Sequence, residues 1–199
     1  MLPALFLILF ATLYRLATAF FNPGFDWVSN FSPLASIVFC GAVFFPKKWA
    51  LAIPLLVMAF TDVVLNVFKY HEPLFTMEIL PRYVAFAAVG AMALWIRKQQ
   101  NHRTALIFGG TVVGSLAFYL ITNTASWMTW PAYTKDFHGW IQAVTVGDPA
   151  FTMPTWMFFR NSVVSDLLFT GLFVACIGLS RRFEAPASAA HGNRSLATR

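Results

Sequence analysis

The sequence predicts an all-α, polytopic membrane protein: a bundle of about six transmembrane helices with both termini cytoplasmic. Three observations carry that expectation. Hydrophobic residues make up 58% of the 199 positions and charged residues only 11%, with a mean hydropathy of +0.65. That is more apolar surface than one water-soluble core encloses. The apolar residues fall into six segments, about 2–21, 34–45, 49–68, 79–97, 104–122 and 156–179, most near the ~20 residues a membrane span needs. Basic residues collect in alternate connections between them.

The first segment, 2–21, has no basic run ahead of it and ends in Phe20-Phe21-Asn22-Pro23. A cleaved signal would end in small residues, so the segment reads as a retained span. Residues 22–33 hold Pro23, Gly24 and Pro33, which force a turn, with Phe25, Trp27 and Phe31 suited to the membrane interface. The second segment is short and must borrow length from 30–33 or from the turn at Pro46. In the fourth and fifth, Ala87-Ala88-Val89-Gly90-Ala91 and Gly110-Thr111-Val112-Val113-Gly114 allow close helix approach, read first as packing within the bundle. The longest connection, 123–155, and the residue after it carry Trp127, Trp130, Tyr133, Trp140, Phe151 and Trp156. It serves as an aromatic belt or a substrate lid, with a short interfacial helix over 134–146 capped by Thr134. Residues 1–182 form one transmembrane domain. From 183 to 199 the composition turns to Ala, Ser, Pro, Gly and Arg, a disordered cytoplasmic tail.

Orientation follows from charge. Lys47 and Lys48, then Arg97, Lys98 and Arg103, then Arg181 and Arg182 follow the second, fourth and sixth segments. The positive-inside rule makes that side cytoplasmic. The net charge of +6 is this topology signal plus a basic tail; nucleic acid is not an expected partner, and the lipid bilayer is.

Five ionisable residues lie inside the apolar segments: Arg15, Asp62, Arg82, Arg160 and Asp166. A charge at the bilayer centre costs about 2.5–3.5 kcal/mol on insertion scales, so it persists where it is paired, hydrated or functional. Depth along each segment brings these five toward the outer leaflet, with Asn66, Asn123 and Asn161. Asp62 and Asn66 share a helix face, as do Asn161 and Asp166 with Ser165. Three arginines against two aspartates leave positive charge, which suits a carboxylate or phosphate ligand. Trp127 or Trp130 would stack on it. The competing reading is helix locking through Arg15–Asp62 or Arg160–Asp166 pairs.

Other chemistries have little support. No Gly-rich phosphate loop, G-x-S-x-G elbow or H-E-x-x-H motif is present. His71, His102, His138 and His191 fall outside the apolar segments, so paired haem ligands are not expected, nor any other cofactor or metal. Cys40 and Cys176 read as buried thiols. The chain is not expected to be an enzyme; a hydrolase using Asp62 and Asp166 is the weaker alternative, and an assembly subunit of a membrane complex the stronger.

Asn30-Phe31-Ser32-Pro33-Leu34-Ala35, Phe39-Cys40-Gly41-Ala42, Trp49 to Pro54 and Thr61-Asp62 resemble a bacterial family of small membrane proteins defined only as a domain of unknown function. Tyr119 to Asn123, Trp127, Phe159-Arg160-Asn161 and Asp166 to Thr170 resemble its second half. That family is in turn similar to the S-components of energy-coupling-factor (ECF) vitamin transporters. The resemblance implies a six-helix inner-membrane protein with an outer pocket for a vitamin-like solute. It also implies a membrane coupling protein and two ATPases as partners. Such docking often uses small residues spaced by four in the first helix; here the series is Ala11, Arg15 and Ala19, with an arginine in the middle.

Overall fold

The structure, a computed structural model, describes residues 2–21, 33–74, 79–99, 101–150 and 153–196; the side chains of 2–4, 34 and 181–196 lie outside the description. The described residues contain helices and no strand. In chain order these are α1 (Leu2–Phe21), α2 (Leu34–Phe44), α3 (Ala52–Leu65), α4 (Ile79–Ile96), α5 (Arg103–Thr129), α6 (Phe137–Val144) and α7 (Thr155–Leu196). A π-helical turn, Asn66–Tyr70, extends α3.

Six of these helices fall on the six apolar segments, and α6 lies within the long aromatic connection. Four stretches are long and apolar enough to cross a membrane: Ala52–Tyr70, Ile79–Ile96, Arg103–Thr129 and Thr155–Ser180. The apolar helical stretches Leu5–Phe21 and Ala35–Phe44 are shorter. The chain is therefore read as a membrane protein. The α7 backbone is helical through Leu196, beyond the composition boundary at residue 183. The aromatic turn with Phe25, Trp27 and Phe31 falls outside the described residues, as does Phe151.

The core is organised around α2. Helices α3, α4, α5 and α7 all pack against it, and Ile37, Val38, Phe39, Cys40 and Ala42 are at most 1% exposed. At 11 residues α2 is about 16 Å long, roughly half the hydrocarbon thickness. Its ends therefore need partners inside the protein. Pro33 stands at the N-cap and supplies no capping side chain; Asp166 of α7 does so instead, its Oδ1 accepting the Ser36 N–H at 2.8 Å. At the other end Arg97 donates to the carbonyls of Ala42 (3.2 Å) and Phe45 (2.5 Å). An acid at the N-terminus and a base at the C-terminus also match the helix dipole.

The small residues pack internally, as the sequence implied. A methyl group added at Gly110 would lie 2.5 Å from Ile96 Cδ1 and 2.7 Å from the Phe39 ring. One added at Gly114 would touch Met92 and Val89. Glycine here lets α5 close on α4 and α2.

Candidate functional site

On α3, Pro54, Met58, Thr61, Asp62 and Leu65 recur at helical spacing and are buried. Asp62 is thus carried into the bundle by an otherwise apolar stripe. Arg15 of α1 meets it there: its Nη2 lies 2.7 Å from Asp62 Oδ1, and its Nη1 donates to Thr61 Oγ1. Arg82 of α4 approaches the same Oδ1 at 3.4 Å. The side chains of Arg15 and Asp62 are 11% and 7% exposed, and that of Arg82 is 29% exposed. Two guanidiniums therefore share one carboxylate, a formal excess of one positive charge, with Arg82 the most exposed member.

Asp62 Oδ2 is buried without a partner in hydrogen-bond geometry; Tyr83, next along α4, faces this carboxylate. The π-helical turn begins four residues after Asp62, at Asn66, and π-turns gather at functional sites. Asn66 itself reaches away, its Nδ2 3.4 Å from the Pro73 carbonyl.

Asp166 belongs to a different junction. It is 1% exposed, and besides capping α2 its Oδ2 lies 2.7 Å from Ser115 Oγ of α5. Ser115 Oγ is also 3.0 Å from the Thr111 carbonyl. Deeper along the same seam Thr111 Oγ1 and Thr170 Oγ1 are 3.0 Å apart, and the Cys40 thiol lies 3.8 Å from Thr170 Oγ1. Cys40 and Cys176 are free thiols, Cys40 buried and Cys176 partly so. Sequence reasoning missed this hydroxyl seam. One signal was available: a short helix opening on Pro33 has to find its N-terminal acceptor elsewhere.

Arg160 lies outside both groups. It is exposed on the second turn of α7, donates to the neighbouring Asn161 Oδ1 from Nε (3.2 Å) and Nη2 (3.1 Å), and sits 5.7 Å from the Trp156 ring centre. The Arg160–Asp166 lock is absent among the described residues, because each group has nearer partners. Asn123 Nδ2 turns back to the Tyr119 carbonyl at 2.8 Å.

Trp127 and Trp130 brace the aromatic connection through their indole N–H groups. Trp127 donates to the Thr134 carbonyl and Trp130 to Asp148, each at 2.8 Å. The Lys135 ammonium donates to the backbone carbonyls of both tryptophans at 2.6 Å. Helix α6 is tied to α5 by Tyr119 Oη donating to the Val144 carbonyl (2.6 Å) and Trp140 Nε1 to Thr124 (3.0 Å). Its cap is Asp136, not Thr134: Asp136 Oδ1 accepts the Gly139 N–H at 2.7 Å, and Thr134 donates to the same oxygen at 2.8 Å. A carboxylate outcompetes a hydroxyl for the cap, and Thr134 orients it. The Gly139 N–H and then the Thr134 hydroxyl hold the Asp136 carboxyl below its usual range. The Ala150 N–H and then Trp130 do the same for Asp148.

The chain matches the family of unknown function DUF6580 over residues 1–188 and belongs to it. No curated protein and no solved structure matches.

Proposed function

We propose that this protein binds a small anionic solute, a carboxylate or phosphate, at the Arg15–Asp62–Arg82 cluster, as a solute-binding or transport protein of the bacterial inner membrane. The observation that carries the reading is the convergence of two guanidiniums on one carboxylate oxygen. Arg15 is committed to Asp62 and Thr61. Arg82, at longer distance and greater exposure, keeps donors for an incoming anion, and an arginine fork suits a planar carboxylate or phosphate edge. The basic residues of alternate connections support both termini inside, and the depth of the cluster along its helices supports ligand entry from the outer face. Work without a coupling protein fits α1 better than docking through its small-residue series, since Ala11 is fully buried and Arg15 turns to α3.

The test is thermal unfolding of the detergent-purified protein against a panel of small carboxylates and phosphates. At least one anion should raise Tm by several degrees in wild type and by less than a third as much in Arg82→Ala. Equal shifts in both proteins would refute the site.

A second reading is favoured by Arg97, a charge at the end of α4 whose guanidinium holds the last α2 carbonyls. If Arg15–Asp62 is likewise a lock, the protein is an assembly subunit of a membrane complex. It would then co-purify with a stoichiometric partner chain and respond to no anion.

A further inference from the structure

We infer that Asp166 is a reversible proton-binding site, set at the α2–α5–α7 junction and separate from the anion cluster. Asp166 is almost fully buried, and the ion pairs among the described residues are Arg15–Asp62 and Arg82–Asp62, so it pairs with no cation among them. The titratable groups on the elements packed against α7 are few. From α2 there is the Cys40 thiol. From α5 there are Tyr119, whose ring meets Phe159 nearer the start of α7, and Arg103 at the opposite end, over the Phe44 ring. From α1 there is Tyr14, packed on Phe169, while Arg15 is held by α3. From α6 there are His138 and the capping Asp136, both exposed. A carboxyl group so enclosed, with neutral partners on both oxygens, is a place where a proton can be held.

The hydrogens agree. Ser115 has one hydroxyl hydrogen and two acceptors in reach, Asp166 Oδ2 at 2.7 Å and the Thr111 carbonyl at 3.0 Å. With Asp166 protonated, Oδ2–H donates to Ser115 Oγ, and Ser115 donates to Thr111; both contacts are hydrogen bonds at once. On deprotonation the Asp166 O–H bond breaks, its electron pair stays on the carboxylate, and the proton leaves to water. The Ser115 hydrogen then swings from Thr111 to Oδ2, and the Ser36 N–H at the α2 N-terminus remains on Oδ1. Thr111 O keeps its helical amide partner. Each protonation state thus has a complete partner set with the heavy atoms in place, which is what reversible exchange requires.

Infrared difference spectroscopy on the full-length purified protein tests this. Wild type should show the C=O stretch of a protonated carboxyl at neutral pH, lost reversibly as pH is raised. Asp166→Asn should lack it. Ser115→Ala should keep it but shift it to higher wavenumber, because the acid proton has lost its acceptor; this variant keeps the test alive if Asp166→Asn folds poorly. A wild-type spectrum without the band, a band that persists in Asp166→Asn, or one that never responds to pH would each overturn the inference.

Discussion

Asp62 and Asp166 are the same residue type, each buried in a helix of one bundle, yet their neighbourhoods differ in kind. Asp62 stands among α1, α3 and α4 with two arginines on one oxygen, while the other has no hydrogen-bond partner in place and Tyr83 faces the carboxylate. Asp166 stands among α2, α5 and α7 with a backbone N–H on one oxygen and a hydroxyl on the other. The first region holds charge in excess of its partners, and the second has a neutral partner for each carboxyl oxygen. Incomplete pairing marks where a ligand completes the set; complete pairing marks where the fold is held. On the reading proposed above, the first region binds the anion and the second holds the fold, with a proton.

The largest effect should come from Asp62→Ala. Removing the shared carboxylate leaves two guanidiniums without their counter-charge, a loss of about 3–4 kcal/mol. It should appear as aggregation or loss of monodisperse protein in detergent. Asp166→Ala should cost less, about 1–3 kcal/mol, by orphaning the Ser36 N–H at the start of α2. Asp166→Asn should recover most of that, because an amide oxygen still accepts from Ser36. If Asp62→Asn were tolerated as well as Asp166→Asn, the two regions would not differ as described. Arg97→Ala, which frees the last α2 carbonyls, should lower stability by about 1–2 kcal/mol, read from the denaturation midpoint.

The smallest effect lies in the connection that carries α6. The Asp136 carboxyl is held low by its cap on α6. A folded-state value below the unfolded one adds stability above the unfolded titration range, and that stability is lost as pH falls through the folded value. The protection factor of the Gly139 amide, its exchange rate relative to the intrinsic rate at each pH, should therefore fall in acid in wild type and be low at all pH in Asp136→Ala. Unchanged protection in the variant would return the cap to Thr134.

Much of the bundle was legible in the sequence. The apolar segments at 79–97 and 104–122 became α4 and most of α5 because long uninterrupted apolar runs have few alternatives. Arg15 opposite Asp62 was legible too, since two intramembrane charges of opposite sign at matching depth are driven together. Arg160 and Asp166 were not separable from that cluster by depth alone. Which way a side chain faces around α7 depends on packing with α2 and α5, and no spacing rule encodes it. Nor does composition reveal that Ser36, Ser115, Thr111 and Thr170 line one seam. Each is an ordinary small polar residue until α2, α5 and α7 are set against one another. The aromatic connection was legible as an aromatic-rich segment, but not that the Trp127 and Trp130 N–H groups brace it against Thr134 and Asp148.

Native mass spectrometry of the gently solubilised protein, run side by side for wild type, Arg82→Ala and Asp166→Asn, tests the division of labour most directly. The account predicts a retained small anion in wild type and Asp166→Asn, absent from Arg82→Ala. A wild type that carries no anion, or one retained equally in Arg82→Ala, would contradict it.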